Sequence, residues 1–320
     1  MEKKLMNVSV ADIDVGDDCY RLPRFAEVSL AASIREVGLL NPPLLQRRPD
    51  GRFRIVCGFR RIEALVQLAV AETVAWIVEE PAVAADIFRI ALLDNLSLRP
   101  FDPVQLSVII EKLRRWGVSD HDLVRQILPQ LGLGQNPKIL ALYDRLHWLP
   151  AEWQRALAND QVPLDLAVAM VDRAEEERMV FWGLIVDLRL GKNRQREFLL
   201  LLQDVARMME ITMVQLVTAD EVKEIVRAER MTPSQKAERL KEWLLQKRYP
   251  RYAAAKERFD EMLKQASLPD GVTLRHSPFF HDDELQLTVS FRSTAEFDAR
   301  LDAVQRLRHS GRIEKFAELI

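Results

Sequence analysis

Residues 53–67 read FRIVCGFRRIEALVQ, and the spacing of the apolar side chains changes at the glycine in the middle. Before it, Phe53, Ile55 and Cys57 occupy every second position, which is the period of a half-buried strand. After Gly58, apolar residues recur at helical spacing. The sequence therefore predicts a strand that ends at Gly58 and a helix that begins directly after it.

This junction has the chemistry of an anion-binding site. Glycine lets the backbone approach a ligand closely, and the free N–H groups at the positive end of a helix attract phosphate. Arg60 and Arg61 follow Gly58, and a guanidinium can bond two phosphate oxygens at once. A plain strand-to-helix turn with solvated arginines explains the same residues, so the motif alone leaves both interpretations open.

The residues around this stretch complete a mixed α/β pattern. It consists of the strand-like segments VSVADIDV (8–15), LLQRR (44–48) and TVAWIV (73–78) and the helix-like segment LAASIREVGLL (30–40). Pro42 and Pro43 break that helix before the next strand, because proline fixes φ and moves its predecessor out of the α region.

Residues 86–172 are predicted to form short helices interrupted by proline and glycine. Ser119, with Asp122 three residues later, is typical of a helix N-cap, and a second helix is expected after Pro137. Because LGLGQN (131–136) joins the pair, the spacing allows a helix-turn-helix, although other αα-hairpins share it.

The second helix of this pair would be the one that reads DNA. A recognition helix presents Arg, Lys, Asn or Gln to base edges, and here we expect Gln135, Asn136, Lys138 and Arg145 in that role. A helical bundle without a role in DNA binding is the alternative. The apolar residues nearby are expected in the core: Leu140, Leu142, Leu146, Trp148 and Trp153.

The C-terminal half is predicted to hold a helical connector and a small ββα module. In the module, VTLRH (272–276) and LQLTVSF (285–291) are typical of strands, and TAEFDARLDAVQRL (294–307) of a helix. Two strands cannot form an independent core, so a second copy is expected to complete the module and make the protein a homodimer. The predicted domains are 1–85, 86–174, 175–264 and 265–320.

The overall composition is that of a folded globular protein. The 320 residues are 48% hydrophobic and 29% charged, enough for two or three domains. Forty-six basic and 48 acidic residues give a net charge of −2, so any DNA contact must be local. Cys19 and Cys57 support neither a disulfide framework nor a cysteine zinc site. Without a signal peptide or an 18-residue apolar stretch, a cytoplasmic location is expected.

A second polar cluster lies in DNLSLRPFDP (94–103). Asp94 and Asn95 can hold a hydrated Mg²⁺, and Arg99 can neutralise a phosphate. The same residues also fit the polar last turn of a helix, so spacing alone does not decide between the two.

Three segments, in their order and spacing, carry a resemblance to a known family: SIREVGLLNPPLL (33–45), FRIVCGFRRIEAL (53–65) and DNLSLRPFDPVQ (94–105). They resemble the ParB family of chromosome and plasmid partition proteins, and residues 146–171 continue the likeness more weakly. The resemblance implies an α+β protein. Its parts would be an N-terminal ParB/sulfiredoxin-like α/β domain, a central all-helical helix-turn-helix domain, a helical connector and a small C-terminal ββα module.

The resemblance also implies a function. The N-terminal domain would bind CTP and Mg²⁺, and the protein would be a dimeric DNA clamp acting on the nucleoid in DNA partition or transcription regulation. CTP would be held by Gly38, Gly58, Arg60, Arg61, Asn95 and Arg99, and Mg²⁺ by Asp94 and Asn95. A ParA-type ATPase is a further expected partner of such proteins, but the basic peptide that recruits it is not found before the N-terminal domain, which begins almost at Met1.

Three positions depart from the family pattern. Phe59 stands where the family has a glutamate associated with nucleotide turnover, so CTP hydrolysis is expected to be weak or absent. Leu98 occupies the position of an arginine, and Arg99 follows one residue late. Glu63 replaces a basic residue and brings a negative charge near the triphosphate unless it pairs with an arginine of the same helix.

An enzyme of the ParB/sulfiredoxin-like fold, a nuclease or a phosphotransferase, is the alternative function. Such a site needs an acid or a thiol, and Cys57 beside Gly58 is the candidate nucleophile. Its place in the apolar alternation with Phe53 and Ile55 favours a core role instead.

Overall fold

The computed structural model describes residues 3–23, 29–79, 83–96, 100–266, 268–276, 285–309 and 316. It divides the chain into two compact units, Met1–Arg178 and Met179–Ile320. The mixture of α and β structure is confirmed, with the larger sheet near the N-terminus. The division into four domains stays a prediction.

The first unit begins with a five-stranded sheet in the order β1-β5-β3-β4-β2. β3 is antiparallel to β4 and parallel to β5, while β1 is antiparallel to β5 and β2 parallel to β4. The strands are β1 (Lys3–Ser9), β2 (Ile13–Asp14), β3 (Leu44–Arg47), β4 (Phe53–Cys57) and β5 (Glu72–Val78), and the helices here are α1 (Ala31–Val37), α2 (Phe59–Gln67) and α3 (Ala84–Leu96).

The strand before Gly58 and the helix after it are confirmed. The single strand expected over residues 8–15 is wrong. β1 begins at Lys3 and ends at Ser9, and a 3-10 turn over Val10–Asp12 separates it from β2. Each short segment pairs with a different neighbour, β1 with β5 and β2 with β4, so the chain crosses from one edge of the sheet to the other.

A β-bulge interrupts the alternation of β4. Leu45 pairs with Ile55 and Leu44 with Cys57, so Val56 is an extra residue without an opposite partner in the ladder. Ile55 consequently packs in one hydrophobic cluster, whereas Val56 and Cys57 both pack in another. The expectation that Cys57 shares a face with Ile55 is therefore wrong, because one inserted residue moves the following side chain to the opposite face.

Two hydrophobic clusters cover the sheet. One joins Ile55 to Ile62 and Leu65 of α2. The other joins Val56 and Cys57 to Phe88 of α3 and to helices that follow it in the sequence. A continuous core of this kind makes the sheet and the helices after it one packing unit.

A lysine of the helical part binds the loop that follows β2. Lys112 lies on α4 (Pro103–Arg115), and its Nζ donates hydrogen bonds of 2.9, 2.7 and 2.8 Å to the carbonyl oxygens of Asp18, Cys19 and Arg21. Between them, the Tyr20 ring packs against aromatic rings of the helices, and its hydroxyl donates to Gln46 Oε1 at 2.9 Å. Burial lowers the pKa of Lys112, and the three carbonyl oxygens satisfy all of its N–H donors.

The rest of the first unit is helical, as predicted. Its elements after α4 are α5 (Asp120–Asp122), a π-helical turn (Leu123–Ile127), α6 (Leu128–Gln130), α7 (Pro137–Tyr143), a 3-10 turn (Leu146–Trp148), α8 (Ala151–Ala158) and α9 (Leu164–Val171), and α10 (Glu175–Asp187) crosses into the second unit. The expected cap is confirmed, since Ser119 accepts a hydrogen bond from the Asp122 N–H. The expected helix after Pro137 is also present.

The second unit contains five further helices, a two-stranded sheet and a last helix within its described residues. They are α11 (Lys192–Met208), α12 (Met213–Val217), α13 (Asp220–Arg227), α14 (Pro233–Arg248), α15 (Pro250–Ala266), β6 (Val272–His276), β7 (Leu285–Val289) and α16 (Thr294–His309). The predicted C-terminal strands are confirmed, and they pair antiparallel. Leu274 packs with Phe259, Ala266 and Phe316 in a small cluster.

Helices that could cross a bilayer were sought in the described parts of both units, and none has the length and apolar character required.

Asp17 ties the loop after β2 to the sheet. Its side chain is only 13% exposed and accepts hydrogen bonds from Arg54 Nε at 2.6 Å and from the Cys19 N–H at 3.0 Å, with Arg48 at 3.6 Å. Burial raises the pKa of the carboxyl, but these hydrogen bonds and the charges of Arg54 and Arg48 outweigh burial and hold the pKa below its usual value.

We expect Asp17→Asn to lower the free energy of unfolding at pH 7 by about 1.5 to 3 kcal/mol, because it removes a charge-assisted hydrogen bond. The pKa is depressed by folding, so the carboxylate's contribution is present above the unfolded value of about 3.9 and is lost as pH falls below it. Urea unfolding at pH 7 and pH 3 measures both effects. Asp50→Asn, at an exposed partner of Arg48, should change stability by less than about 0.5 kcal/mol. A variant of Asp17 as stable as the wild type at pH 7 would contradict this assignment.

Candidate functional site

Gly58 forms the turn between β4 and α2. Its φ of 96° and ψ of 26° are left-handed, and it is the N-cap of α2 without a side chain that caps the helix. A Cβ at this position would lie 3.0 Å from both Arg61 Nε and Pro43 Cβ. Glycine is therefore required twice, for its backbone conformation and for the space that Arg61 occupies. The first N–H groups of α2 point toward whatever lies beyond the strand end.

Arg61 lies across this glycine and holds a neighbouring turn. Its Nη1 donates hydrogen bonds to the carbonyl oxygens of Asn41 at 2.8 Å and Pro42 at 3.0 Å. That turn begins at Gly38, which ends α1 at φ 75° and whose N–H bonds to the Ile34 carbonyl at 3.0 Å. Arg61 therefore holds the turn that follows Gly38 next to the start of α2.

Asp94 faces the end of β4 from the last part of α3. Cys57 is 5% exposed, and burial, the charge of Asp94 and a hydrogen bond with it raise the pKa of the thiol to about 12, against the opposing charges of Arg61 and Lys3. The structure thereby brings together Gly58, Arg61 and Asp94, three of the predicted residues. The same pKa leaves Cys57 protonated at neutral pH.

The other residues predicted to bind the nucleotide are not all gathered at the same place. Asn95 Nδ2 donates to the Ala91 carbonyl at 2.7 Å, one turn back along α3, so Oδ1 is the atom that could approach a cation. Arg60 lies half-buried on the first turn of α2. Arg99 and Leu98 lie outside the described residues.

The side-chain oxygens of this site could hold a magnesium ion only together with phosphate oxygens of a bound ligand and water. Among the described residues, no group of three His, Cys, Asp or Glu side chains is arranged to hold a metal. Mg²⁺ in nucleotide sites is commonly bound by one or two protein carboxylates together with phosphate oxygens and water. Asp94, with Asn95 beside it, supplies one such carboxylate next to the start of α2.

Phe59 and Glu63 are explained by a contact that local spacing did not reveal. Phe59 is buried in the core of α2, and the Arg21 guanidinium lies over its ring at 5.1 Å. Arg21 also forms an ion pair with Glu63. The negative charge of Glu63 is thus balanced by an arginine of the loop after β2.

The candidate DNA residues lie around the start of α7. Asn136 caps the helix by accepting from the Lys138 N–H at 2.9 Å, Gln135 Nε2 donates to the Arg125 carbonyl at 3.4 Å, and the Lys138 side chain is exposed. Arg145 lies beyond the helix in a left-handed conformation and makes two hydrogen bonds to Asp172, of 2.7 and 3.2 Å. Only the first three therefore share one surface at the start of the helix.

Two apolar residues near α7 are exposed. Trp148 is 61% exposed beneath Arg145, whose guanidinium lies 5.6 Å from the ring, and Leu142 is exposed as well. The prediction that they lie in the core is wrong: Leu142 lies on the exposed side of α7, and Trp148 follows the left-handed residue Arg145 in a 3-10 turn. The core positions of Leu140, Leu146 and Trp153 are confirmed.

The first unit thus combines a mixed sheet, in which β4 ends at a left-handed glycine and α2 follows, with packed helices that include the candidate recognition helix α7. Residues 4–96 match the family model of the ParB N-terminal domain. The resemblance of the chain to the ParB family is therefore confirmed, and the family model places it in these residues.

The curated relatives share part of their length with this chain. The chromosome-partitioning protein Spo0J of Thermus thermophilus is 32% identical over 185 residues, which cover 55% of this chain and 63% of the relative. The nucleoid occlusion protein of Geobacillus thermodenitrificans is 28% identical over 156 residues, 47% of this chain and 51% of the relative. The matched region thus spans between half and two thirds of these relatives.

Solved structures show a looser likeness. The C-terminally truncated ParB of Caulobacter crescentus complexed to the centromeric parS site is 17% identical, with a TM-score of 0.35, covering 60% of this chain and 97% of that one. The same protein complexed with CTP-gamma-S is 21% identical, with a TM-score of 0.25, covering 54% and 94%. A Pnob8-like ParB-N domain is 15% identical, with a TM-score of 0.40, covering 76% and 99%.

Gly58→Ala tests the role of this residue against a matched control. Gly51, in the turn between β3 and β4, also has a left-handed φ, of 83°, but a Cβ there would meet no atom within 4 Å. We expect Gly58→Ala to destabilise the protein by about 1 kcal/mol more than Gly51→Ala, since only the first adds tight contacts with Arg61 and Pro43 to the backbone strain. Chemical unfolding measures the difference, and equal effects would show that Arg61 and Pro43 do not need this space.

Proposed function

We propose that the chain is a ParB-like DNA-binding protein that works as a homodimeric clamp on DNA under the control of CTP and Mg²⁺. The observation that carries the proposal is the glycine-led start of α2, with Arg61 and Asp94 beside it, inside a ParB N-terminal domain. The other parts of the chain contribute a DNA-reading surface and a module for self-association.

The start of α2 suits the triphosphate of CTP. N–H groups that no side chain caps and the positive end of the helix dipole favour an anion, and the missing side chain at Gly58 lets phosphate oxygens come close. Arg60 would bond these oxygens directly, and Arg99 would add a second cation. Arg61 would act by holding the turn that begins at Gly38, because its guanidinium already binds the carbonyls of Asn41 and Pro42.

Mg²⁺ would be held by Asp94 and Asn95 together with the phosphates. When bound, the ion would neutralise charge on the triphosphate. Asp94 then matters for orientation as well, because it approaches the strand end from α3 while the phosphates would approach from α2. A nucleotide bound between them would link the two helices.

The side chain at position 59 favours nucleotide binding with slow hydrolysis. Phe59 is buried and cannot transfer a proton or position water. A clamp of this kind would be switched mainly by binding and release of CTP, with hydrolysis weak or absent.

The DNA contact is proposed at the start of α7. Gln135, Asn136 and Lys138 offer amide and ammonium groups on one exposed surface, which are the groups that read base edges and bind phosphates. Arg145 would contribute only by exchanging its ion pair with Asp172 for a contact to DNA. The chain would act on the nucleoid in the cytoplasm, in DNA partition or in transcription regulation, and a ParA-type ATPase is a partner only for the first of these roles.

The alternative, an enzyme that uses Cys57 as a nucleophile, is disfavoured by one observation. The thiol is buried against Val56 and the α3 side of the core, and its raised pKa leaves almost no thiolate at neutral pH. A binding function uses Gly58 and the helix start without involving this sulfur.

We expect CTP to bind the full-length protein in preference to ATP, GTP and UTP. Arg60→Ala should weaken CTP binding about 10- to 150-fold, because it removes a charge-assisted phosphate contact worth about 1.5 to 3 kcal/mol. Isothermal calorimetry in the presence of Mg²⁺ measures both. Arg52→Ala, which removes an arginine from the turn before β4, serves as the control and should bind CTP like the wild type.

An equal and weak response to all four nucleotides would contradict the CTP assignment. Unchanged CTP affinity in Arg60→Ala would instead show that the triphosphate does not bind at the start of α2. Phosphate release assays on the same samples measure whether CTP hydrolysis is as slow as Phe59 implies.

We expect deletion of residues 272–320 to convert a dimer into a monomer and to weaken DNA binding about 100-fold or more, because two linked DNA-binding units gain effective concentration from each other. Leu287→Arg is the milder variant, since Leu287 is an exposed apolar residue opposite Leu274 in the hairpin. Light scattering and gel shifts at one fixed salt concentration measure the two effects. A truncated protein that stays dimeric would refute this module as the dimer contact.

A further inference from the structure

Arg145 is held by a carboxylate at the surface of the helical part of the first unit. Its Nη1 and Nη2 donate hydrogen bonds of 2.7 and 3.2 Å to Oδ1 and Oδ2 of Asp172, the two-point geometry that arginine and a carboxylate prefer. Asp172 follows the last residue of α9, and α9 packs against α7 and the 3-10 turn after it. The pair therefore joins the end of α9 to the residue that begins this turn.

Both partners occupy positions that their local structure disfavours. Arg145 has a left-handed φ of 59°, which is uncommon for a residue other than glycine, asparagine or aspartate. Asp172 places a negative charge at the negative end of α9, where the helix dipole opposes it. Local conflicts of this kind are expected at functional positions, so the pair is expected to serve a function beyond the fold.

The pair is open to water and contributes little to stability. The side chains of Arg145 and Asp172 are 39% and 69% exposed, whereas that of Asp17, which holds Arg54, is 13% exposed. An ion pair this exposed is worth little free energy, and salt weakens it further. Replacing Asp172 by another anion therefore costs the fold little.

The guanidinium has one other carboxylate near it and a flat support beneath it. Asp144 Oδ2 lies 3.9 Å from Arg145 Nε, but Asp144 also accepts a hydrogen bond of 2.8 Å from Arg114. The exposed Trp148 ring lies 5.6 Å from the guanidinium and supports the cation on its aromatic face. Asp172 is consequently the carboxylate that a DNA phosphate would displace.

We propose that Asp172 is a positioning residue that restrains Arg145 and thereby lowers the affinity of the protein for DNA. The inference rests on the DNA contact proposed at the start of α7 and adds its regulation. Without DNA, Asp172 neutralises Arg145, and its own charge opposes the approach of phosphates. On DNA, a phosphate takes the place of the carboxylate, since both anions accept the same pair of hydrogen bonds. Arg145 then holds the DNA backbone, while the residues at the start of α7 face the bases.

This exchange predicts a particular salt dependence. An arginine that binds a DNA phosphate releases about one counterion from DNA, which steepens the slope of log affinity against log salt by about 1. When Arg145 leaves Asp172, the freed carboxylate attracts a cation from solution, and the two effects nearly cancel. Arg145 therefore contributes its full share of the slope only when position 172 carries no charge.

Asp172→Asn in the full-length protein tests the restraint. We expect it to raise the affinity for labelled duplex DNA of mixed sequence about two- to fivefold, because one exposed ion pair no longer has to be broken. The salt slope should become steeper by about 1. Fluorescence anisotropy between about 50 and 200 mM salt measures both changes. Asp172→Glu keeps the carboxylate and should bind DNA like the wild type.

Two further variants distinguish the restraint of Arg145 from a general effect of charge. Glu175→Gln removes another exposed carboxylate close by in the sequence and should leave the affinity and the slope almost unchanged. Arg145→Gln/Asp172→Asn should bind no more tightly than Arg145→Gln, apart from the small change that Glu175→Gln also shows. All of these proteins should melt within about 4 °C of the wild type, because the replaced charges are exposed.

Three results would overturn the inference while leaving the DNA contact at α7 in place. Weaker binding by Asp172→Asn would show that the carboxylate supports Arg145 on DNA. Unchanged binding would show that Arg145 is not exchanged, and a gain that persists without Arg145 would be a general effect of charge. The DNA contact has a separate test, since Lys138→Gln should weaken binding whatever Asp172 does. If the wild type does not bind duplex DNA, the proposed function fails and this inference fails with it.

Discussion

The arrangement of the N-terminal domain depends on the absence of a side chain at Gly58. Because nothing projects from this residue, Arg61 can lie against it and bind the carbonyls of Asn41 and Pro42, and α2 can start directly at the strand end. The bulge at Val56 contributes from the other side, since it turns Cys57 toward Asp94 and α3. One turn of backbone thus fixes the relative positions of α1, α2 and α3.

Features that depend on interactions between residues close in the sequence could be predicted from the sequence. The change of period at Gly58, the cap at Ser119 and the two C-terminal strands are of this kind. Features decided by distant partners could not. The bulge depends on the register with β3, and the charge of Glu63 is balanced by Arg21 from another loop.

The basic residues of the protein fall into two groups that composition does not distinguish. Lys112, Arg54 and Arg145 are held by carbonyls or carboxylates and stabilise the fold. The Lys138 side chain is exposed at the start of α7, where external anions can reach it. A net charge near zero hides this division, and only the geometry of each partner shows which cations serve structure and which can serve binding.

Three ion pairs join α11 to α14, and in each the second residue is 44 positions after the first: Arg194–Glu238, Glu197–Lys241 and Asp204–Arg248. The two helices therefore run parallel, and this direction has a consequence for how the second unit forms. Two antiparallel helices can pair through a short hairpin, whereas a parallel pair requires the chain to return along the full length of the first helix. Here α12 and α13 make that return, so the ion pairs between α11 and α14 close a long loop before they contribute energy. The bundle is consequently rich in nonlocal contacts for an all-helical region, and its folding rate should respond to the stability of α12 and α13 even though neither carries any of those ion pairs.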